Sequence, residues 1–184
     1  MEFKVGSAVL QIIRGDITDV DADAIVNPAN SSLMGGGGVD GAIHRRGGSK
    51  IDEECRRIRE TEWPDGLPAG KVVITSGGNL KAKYVIHTVG PVWLGGFHVE
   101  AELLKQAYRN SLKLAAAKGF KVIAFPSIST GAYGYPIQEA SVVALKTVRD
   151  FLEKEDKLER VILVLFSEGD FQLYVESAKS ILSY

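Results

Sequence analysis

The stretch Asn27-Pro-Ala-Asn-Ser-Ser-Leu-Met-Gly-Gly-Gly-Gly-Val-Asp-Gly-Ala-Ile-His44 decides how the rest of the chain is interpreted. Its four consecutive glycines, Gly35 to Gly38, add no side chain to a core and lose much backbone entropy on ordering. Such a run suits a loop where the backbone approaches a ligand closely or turns N–H groups toward an anion. The apolar flanks do not suit a flexible linker. We therefore predict a loop-to-helix anion site with one carboxylate, Asp40, inside it.

The composition describes an ordinary globular protein. The chain has 184 residues, 45% of them hydrophobic, and a formal net charge of −1. We expect one domain spanning 1–184, with no overall field that would attract nucleic acid or an anionic membrane. The start of the chain does not resemble a signal peptide, and no apolar run reaches membrane-spanning length. The single cysteine, Cys55, fits a reducing compartment, so we expect a cytoplasmic protein without membrane association.

The pattern of the chain predicts a sheet with helices on both faces. The later two-thirds alternates strands and helices, which is typical of an α/β sandwich with a mostly parallel sheet. Phe3 to Arg14 contains one or two strands that break near Gly6 and Ser7. A helix that ends near Glu60 is predicted to begin at Ser49, with Asp52 completing a capping box.

Several polar or glycine-rich segments follow predicted strands. These segments are Asp16, the run from Gly35 to Gly38, a second glycine-rich loop from Pro126 to Pro136, and Phe166. In parallel sheets, ligands bind beyond the carboxyl ends of the strands. The four segments can therefore converge on one cleft.

Other chemical interpretations of the sequence are weaker. Gly36 to Gly41 satisfies Gly-x-Gly-x-x-Gly, but the loop starts several residues after its strand, so a dinucleotide site is a weak alternative. The three histidines are far apart in sequence, and no helical pair of them suggests zinc. His87 lies in an apolar strand and is interpreted as a core residue. Cys55 is interpreted as a bystander thiol.

Three residues keep two interpretations each. Asp40 can act as a general base beside a bound phosphate, or it can simply place a favourable negative charge in the first turn of a helix. Spacing alone leaves these readings about even. Asp16 is either a turn residue or an acceptor for an adenine amino group. Phe166 is either a core residue or a stacking platform for a base.

Five motifs in this order resemble a macrodomain, and the glycine block resembles the MacroD-type branch. The motifs are Gly15-Asp16-Ile17-Thr18, Ala24-Ile25-Val26-Asn27-Pro28-Ala29-Asn30, Gly35 to His44, His87-Thr88-Val89-Gly90-Pro91 and Ser127 to Pro136. The resemblance covers nearly the whole chain. It implies a three-layer α/β/α sandwich around a mixed, mostly parallel, six-stranded sheet, with a cleft that binds ADP-ribose.

The same resemblance assigns roles to residues. It implies that Asp16 and Ile17 hold the adenine with Phe166, and that Asn30 and Asp40 act on the distal ribose with His44 in support. The implied catalytic residues are thus Asp40, Asn30 and His44. The implied binding residues are Asp16, Ile17, Asn30, Gly37, Gly38, Val39, Asp40, Ser129, Thr130, Gly131, Ala132, Tyr133 and Phe166.

The MacroD-type resemblance also implies an activity, the hydrolysis of esters at the distal ribose. The expected substrates and partners are O-acetyl-ADP-ribose, mono-ADP-ribosylated Asp or Glu side chains of proteins, and ADP-ribose itself. No metal and no cofactor is expected. The main alternative is a reader that binds ADP-ribose without turnover. An RNA or nucleic-acid-linked ADP-ribose role is a further alternative, motivated by the arginines between Arg45 and Arg59.

Overall fold

The computed structural model describes residues 1–182, so the last two residues of the predicted 1–184 domain lie outside the described part. The strands are β1 Glu2–Val5, β2 Ala8–Arg14, β3 Ala24–Ala29, β4 Val72–Ser76, β5 Tyr84–Val89, β6 Val122–Phe125 and β7 Arg160–Leu165. The helices are α1 Gly38–Gly47, α2 Ser49–Thr61, α3 Glu100–Ala117, α4 Ile137–Lys154 and α5 Glu168–Leu182. A short 3₁₀ turn covers Ile17–Asp19.

All the described strands form one mixed sheet in the order β1-β2-β7-β6-β3-β5-β4. The five inner strands are parallel, and the edge strands β1 and β4 are antiparallel to their neighbours. The predicted mostly parallel sheet is therefore confirmed. The expected number of six strands is wrong, because the segment from Phe3 to Arg14 folds into a hairpin of two strands. Gly6 turns that hairpin with a φ of 58°, a conformation that glycine adopts readily.

Helices cover both faces of the sheet and make the expected three layers. One buried cluster joins the sheet to α3, α4 and α5 through residues such as Tyr108, Ala144 and Tyr174. A second cluster on the other face joins it to α1 and α2 through Ile43 and Ile51. Since both faces are covered, the inner strands are apolar along most of their length.

The register of the central strands opens space at one edge of the sheet. β3 pairs with β5 along its whole length, from Ala24 to Ala29. It pairs with β6 only at its first two residues, Ala24 and Ile25. Beyond Ile25 the two strands separate, and the gap between their carboxyl ends lies where sheets of this class bind ligands.

The predicted capping box at the start of α2 is wrong. The N-cap residue is Gly48, and no side chain caps the helix. Asp52 instead pairs with the His44 ring, with 2.6 Å between Asp52 Oδ1 and His44 Nδ1. The side chain that the sequence assigned to a local cap is used across the junction of α1 and α2.

Within residues 1–182, none of the helices is both long enough and apolar enough to span a membrane.

Candidate functional site

The gap at the carboxyl ends of the strands is one elongated cleft. It consists of two cavities of about 300 Å³ and 550 Å³ that share wall residues, among them Gly38, Val39 and Gly131. The smaller cavity is lined by Asn30, Gly37, Asp40, Ser129, Ala132 and Tyr133 together with the shared residues. The larger one is lined by Asp16, Ile17, Thr130 and Phe166. Every predicted binding residue thus lines the cleft, whereas His44 is absent from both walls and lies buried behind Asp40.

The middle of the cleft faces the amino terminus of α1. This helix begins at Gly38 after an N-cap at Gly37, and no side chain caps it. Its first backbone N–H groups are therefore left for a ligand, and the helix dipole favours a negative charge there. A Cβ added at Gly37 or Gly38 would meet no protein atom within 4 Å, and Gly38 has a φ of 57°. The predicted loop-to-helix anion site therefore has the required geometry.

Gly36 is a site residue that sequence reasoning did not single out. A Cβ at this position would lie 3.2 Å from Asp40 Oδ2 and 3.3 Å from Asn30 Nδ2. Because Gly36 has only a hydrogen atom in place of a side chain, space remains beside these two polar groups at the end of the cleft. The run of four glycines was a signal for this region, but the sequence could not show which glycine faces which side chain.

Asn30 holds the glycine run in place. Its Nδ2 donates to the carbonyl oxygen of Gly35 at 3.0 Å, and its Oδ1 accepts from the backbone N–H of Ser32 at 3.0 Å. The side chain therefore fixes the shape of the loop while it borders the cleft.

Asp40 is a buried carboxylate in a polar pocket. Only 6% of the residue is exposed. Oδ1 accepts a hydrogen bond from Asn27 Nδ2 at 2.9 Å and lies 3.4 Å from His44 Nε2. Burial raises the pKa of the Asp40 carboxyl, and the hydrogen bond from Asn27 and the charge of His44 offset this only in part. A carboxyl group with a raised pKa beside a cleft is suited to proton transfer.

A chain of hydrogen bonds behind Asp40 fixes the direction of the Asn27 amide. Asn27 Nδ2 lies 3.0 Å from His87 Nδ1, and His87 Nε2 lies 2.9 Å from Thr75 Oγ1. The Thr75 hydroxyl donates to the carbonyl of Ser76, so it accepts from His87. His87 Nδ1 is therefore the acceptor for Asn27, whose second amide hydrogen goes to Asp40. This role of Asn27 and His87 was missed, because it depends on contacts between three strands.

His87 is a fixed neutral residue. It is fully buried, and burial lowers the pKa of its ring to about 3, helped by the charge of His44. The ring therefore stays neutral at physiological pH and positions Asn27 without carrying a positive charge. The interpretation of His87 as a core residue is correct for its burial, but the residue also supports the site.

Cys55 lies beside these histidines. Ligand atoms of His44, Cys55 and His87 lie within 4.8 Å of one another. Both ring nitrogens of His87 already have partners, however, and the Cys55 sulfur lies 3.8 Å from His87 Nε2. Burial, together with the charges of nearby carboxylates, raises the pKa of the thiol to about 12. A ring whose two nitrogens are both hydrogen-bonded offers no free lone pair to a metal, and the prediction of no metal stands as a prediction.

The Asp16 end of the cleft is more open. Asp16 Oδ1 accepts from the Thr18 backbone N–H at 2.9 Å and from its hydroxyl at 2.6 Å, which leaves Oδ2 for a ligand. The bond from the Thr18 side chain lowers the pKa of the Asp16 carboxyl, which therefore stays ionised. Ile17 is buried, and Phe166 is exposed over 76% of its surface. Phe166 is therefore not a core residue here.

Arg46 is a further residue whose role was missed. It donates to Thr18 Oγ1 at 3.1 Å and to Asp19 Oδ1 at 2.7 Å, and it ties the end of α1 to the Asp16 turn. Arg59 donates to backbone carbonyls, including that of Ser32, and Arg45 lines the larger cavity. These three arginines of the basic segment are therefore occupied by the fold or the cleft and add little to a free surface for nucleic acid.

The second glycine-rich loop forms the opposite wall. Ser129 has a φ of 69°, an uncommon conformation for a residue other than glycine. Strain of this kind clusters at ligand sites. Gly90 packs against this residue so closely that a Cβ would lie 2.1 Å from Ser129 Oγ. The loop is further fixed by a bond from the Trp93 backbone N–H to the Tyr133 carbonyl at 2.8 Å.

Comparison with known proteins gives the family of this fold and cleft. A sequence model of the Macro domain matches residues 26–144, which include α1 and both walls of the smaller cavity. The chain belongs to the macrodomain family. This confirms the resemblance that the five motifs indicated.

Relatives of known name or structure cover nearly the whole chain. An O-acetyl-ADP-ribose deacetylase of Salmonella typhimurium is 55% identical over 165 residues, which are 90% of this chain and 91% of the relative. A macrodomain of Oceanobacillus iheyensis, solved with ADP, superimposes with a TM-score of 0.96 at 46% identity and covers 98% of this chain and 95% of its own. A Trypanosoma brucei macrodomain with ADP-ribose gives a TM-score of 0.83 at 39% identity, over 91% of this chain and 68% of its own.

Proposed function

We propose that this macrodomain binds ADP-ribose and hydrolyses esters at its distal ribose. The observation that carries the proposal is the order of groups along one cleft. An exposed aromatic and a carboxylate lie at one end, a helix amino terminus at the middle, and a buried carboxylate of raised pKa at the other. This order fits a base, a diphosphate and a reacting sugar. The names of the relatives, an O-acetyl-ADP-ribose deacetylase and macrodomains solved with ADP and ADP-ribose, support the same function.

The adenine lies at the Asp16 end. Its amino group donates to Asp16 Oδ2, since Thr18 already occupies Oδ1, and its ring packs on Phe166. The diphosphate lies over the first turn of α1, where N–H groups and the helix dipole stabilise its charge. The loop from Ser129 to Tyr133 closes the other side of the diphosphate and the distal ribose.

The distal ribose lies between Asn30 and Asp40. In its ionised form Asp40 takes a proton from a water molecule, and the water oxygen attacks the acyl carbon of the ester. The bond between the acyl carbon and the ribose oxygen then breaks. The electron pair stays on that oxygen, which receives the proton from Asp40. The products are ADP-ribose and a free carboxylic acid, and Asn30 holds the ribose hydroxyl during the reaction.

The same chemistry extends to proteins. A mono-ADP-ribosylated Asp or Glu side chain is an acyl ester of the distal ribose, so its hydrolysis breaks the same type of bond as deacetylation. We therefore include mono-ADP-ribosyl proteins with O-acetyl-ADP-ribose as substrates. No step needs a metal or a redox cofactor.

One experiment tests the enzyme against the reader. The protein is incubated with O-acetyl-ADP-ribose in the presence of a metal chelator, and acetate and ADP-ribose are followed by mass spectrometry. We expect both products to appear in equal amounts. If calorimetry shows that ADP-ribose binds but no product forms, the protein is a reader that binds without turnover, and the proposed hydrolase activity is contradicted.

A further inference from the structure

The exposed apolar side chains of the protein are concentrated in one segment. Among the described residues, eight large hydrophobic side chains are exposed, and four of them lie between Val92 and Val99. Phe97 is exposed over 94% of its surface, which leaves the ring almost without protein contacts. We call residues 91–99, between β5 and α3, the apolar loop. Clusters of exposed apolar groups mark interaction sites more often than single ones do.

The apolar loop is held in a defined shape. The buried carboxylate of Glu100 accepts backbone hydrogen bonds from Leu94 at 3.0 Å, Gly96 at 2.8 Å and His98 at 2.9 Å. On the inner side, the Trp93 ring packs against Tyr135 with 4.7 Å between ring centroids. The loop therefore keeps one aromatic side chain inside while it presents Phe97 outward.

Trp93 also requires glycine at the neighbouring turn. A Cβ at Gly96 would lie 2.7 Å from the Trp93 ring, and the φ of Gly96 is 84°. A side chain at this position would push the indole out of its place. Leu94 and Phe97 are thus exposed on a loop whose shape is fixed by its own internal contacts.

The apolar loop borders the Asp40 end of the cleft. It starts directly after Gly90, which lines the smaller cavity with Asn30 and Asp40. The Trp93 backbone N–H donates to the carbonyl of Tyr133, another residue of the same cavity. Phe166, which is also exposed, lies in the larger cavity at the opposite end of the cleft.

We propose that the apolar loop docks the polypeptide that carries the ADP-ribosyl group. This inference rests on the proposed function, because it takes the acyl side of the distal-ribose ester to leave the cleft past Asn30 and Asp40. An acetyl group ends at its methyl carbon and carries no chain toward the loop. A modified Asp or Glu continues into a peptide, whose neighbouring side chains then lie against Leu94 and Phe97.

The loop selects apolar neighbours in that peptide. Residues 91–99 contain no Asp, Glu, Lys or Arg, and their one histidine, His98, already lies 4.0 Å from the buried Glu100 carboxylate. The loop therefore offers little charge to pair with an acidic or basic segment. Burying apolar side chains of the peptide against Leu94 and Phe97 is the favourable contact that the loop can make. The partner is thus a protein whose modified carboxyl is flanked by exposed apolar residues.

The test compares two peptides that carry mono-ADP-ribose on one Glu. In one peptide the Glu is flanked by Leu and Phe, and in the other by Gly and Ser. Affinities are measured in an Asp40→Ala background, so that the ester is not consumed during titration. We expect the Leu/Phe peptide to bind about tenfold more tightly, on the scale of one or two buried side chains. The Leu94→Ser and Phe97→Ser double variant should remove this difference.

Controls separate docking from damage to the cleft. Tyr84, at the amino end of β5, is exposed over 41% of its surface and stacks on Phe120 away from the cleft. Tyr84→Ser should keep the preference between the peptides, and the double variant should keep wild-type affinity for free ADP-ribose. Equal binding of the two peptides by the native loop would overturn the proposal. So would an equal loss of free ADP-ribose and peptide binding in the double variant.

The proposed function is tested by a different measurement. The turnover of O-acetyl-ADP-ribose by the wild-type protein, which does not involve the apolar loop, decides the hydrolase. The affinities of the two peptides decide the docking surface, even for a protein that shows no turnover.

Discussion

The Asp16 carboxyl group at one end of the cleft is positioned by a residue close to it in the chain, whereas the Asp40 carboxyl group at the other end is positioned by residues that are distant in sequence. Asp16 accepts from Thr18, two residues away, and 39% of its side chain is exposed. Asp40 is 8% exposed in its side chain and depends on Asn27, which in turn is oriented by His87, 60 residues further along.

The two environments shift the two carboxyl groups in opposite directions. The hydrogen bond from Thr18 lowers the pKa of Asp16, and burial raises that of Asp40. A carboxylate that stays ionised and exposed suits recognition of a donor, whereas a buried one with a raised pKa suits proton transfer. The difference assigns binding to one end of the cleft and chemistry to the other, and variants at each end can separate them.

The largest effect is expected from Asp40→Ala. This variant should lower the hydrolysis of O-acetyl-ADP-ribose by roughly 10²-fold or more, the usual scale for loss of a positioned acid or base. Affinity for ADP-ribose should change far less, because the adenine and diphosphate contacts remain. Steady-state rates and calorimetry on the same preparation measure both. Normal turnover with a large loss of ADP-ribose affinity would show that Asp40 is a binding residue. It would contradict the assignment of binding to one end of the cleft and chemistry to the other.

The next effect is expected from Gly36→Ala. The added methyl group would lie 3.2 Å from Asp40 Oδ2 and 3.3 Å from Asn30 Nδ2. Displacing reacting groups by a fraction of an ångström to an ångström can cost up to about 10²-fold in rate. We expect hydrolysis to fall by about that factor while ADP, which lacks the distal ribose, binds as before.

Gly169→Ala is the matched control for that variant. Gly169 lies in α5, and a Cβ there would meet no atom within 4 Å. It should leave both ADP binding and hydrolysis unchanged. If Gly36→Ala weakened ADP as much as it slowed hydrolysis, its effect would reach the whole cleft rather than the Asp40 end.

A smaller effect is expected from Asp16→Ala at the other end. Loss of one hydrogen bond to a charged group should weaken ADP-ribose by about tenfold or more. Ribose-5-phosphate, which has no adenine, should bind as it does to the wild type. Calorimetry with the two ligands gives the comparison, and an equal loss for both would show that Asp16 does not contact adenine.

Much of this fold and cleft could be predicted from sequence, because the signals are local. The glycine run before Val39 predicted the start of α1, and the alternation of strands and helices predicted the sheet. Asp16 and Phe166 could be placed in the cleft because each follows a strand, and parallel strands end at one edge.

The support of the Asp40 end could not be predicted in this way. Asn27, Thr75 and His87 meet only when β3, β4 and β5 pair in their actual register. Asp52 was expected to cap its own helix, but the fold brings it to His44 instead. When a side chain has one possible partner nearby in sequence and another far away, its actual partner cannot be predicted before the fold places the distant one. Sequence patterns therefore favour the nearby partner.

The smallest effect concerns stability and returns to Asp40. Burial raises the pKa of its carboxyl in the folded state, so the folded protein binds this proton more tightly than the unfolded chain does. The stabilisation is therefore fully present below the unfolded pKa, about 4, and is lost as pH rises through the folded pKa. Asp40→Asn removes the titrating group and should raise Tm above that range, on the order of 2–4 °C for each kcal/mol regained.

The pH dependence of this gain distinguishes it from a general effect of the substitution. The difference in Tm between Asp40→Asn and the wild type should shrink as pH falls and should lose its pH dependence below about 4, where Asp40 is protonated in both states. Asp16→Asn should instead lower Tm above that range, since a carboxyl group of lowered pKa stabilises the fold there. Thermal unfolding of both variants over a pH series measures this. The same pH trend at Asp16 and Asp40 would remove the electrostatic contrast between the two ends of the cleft.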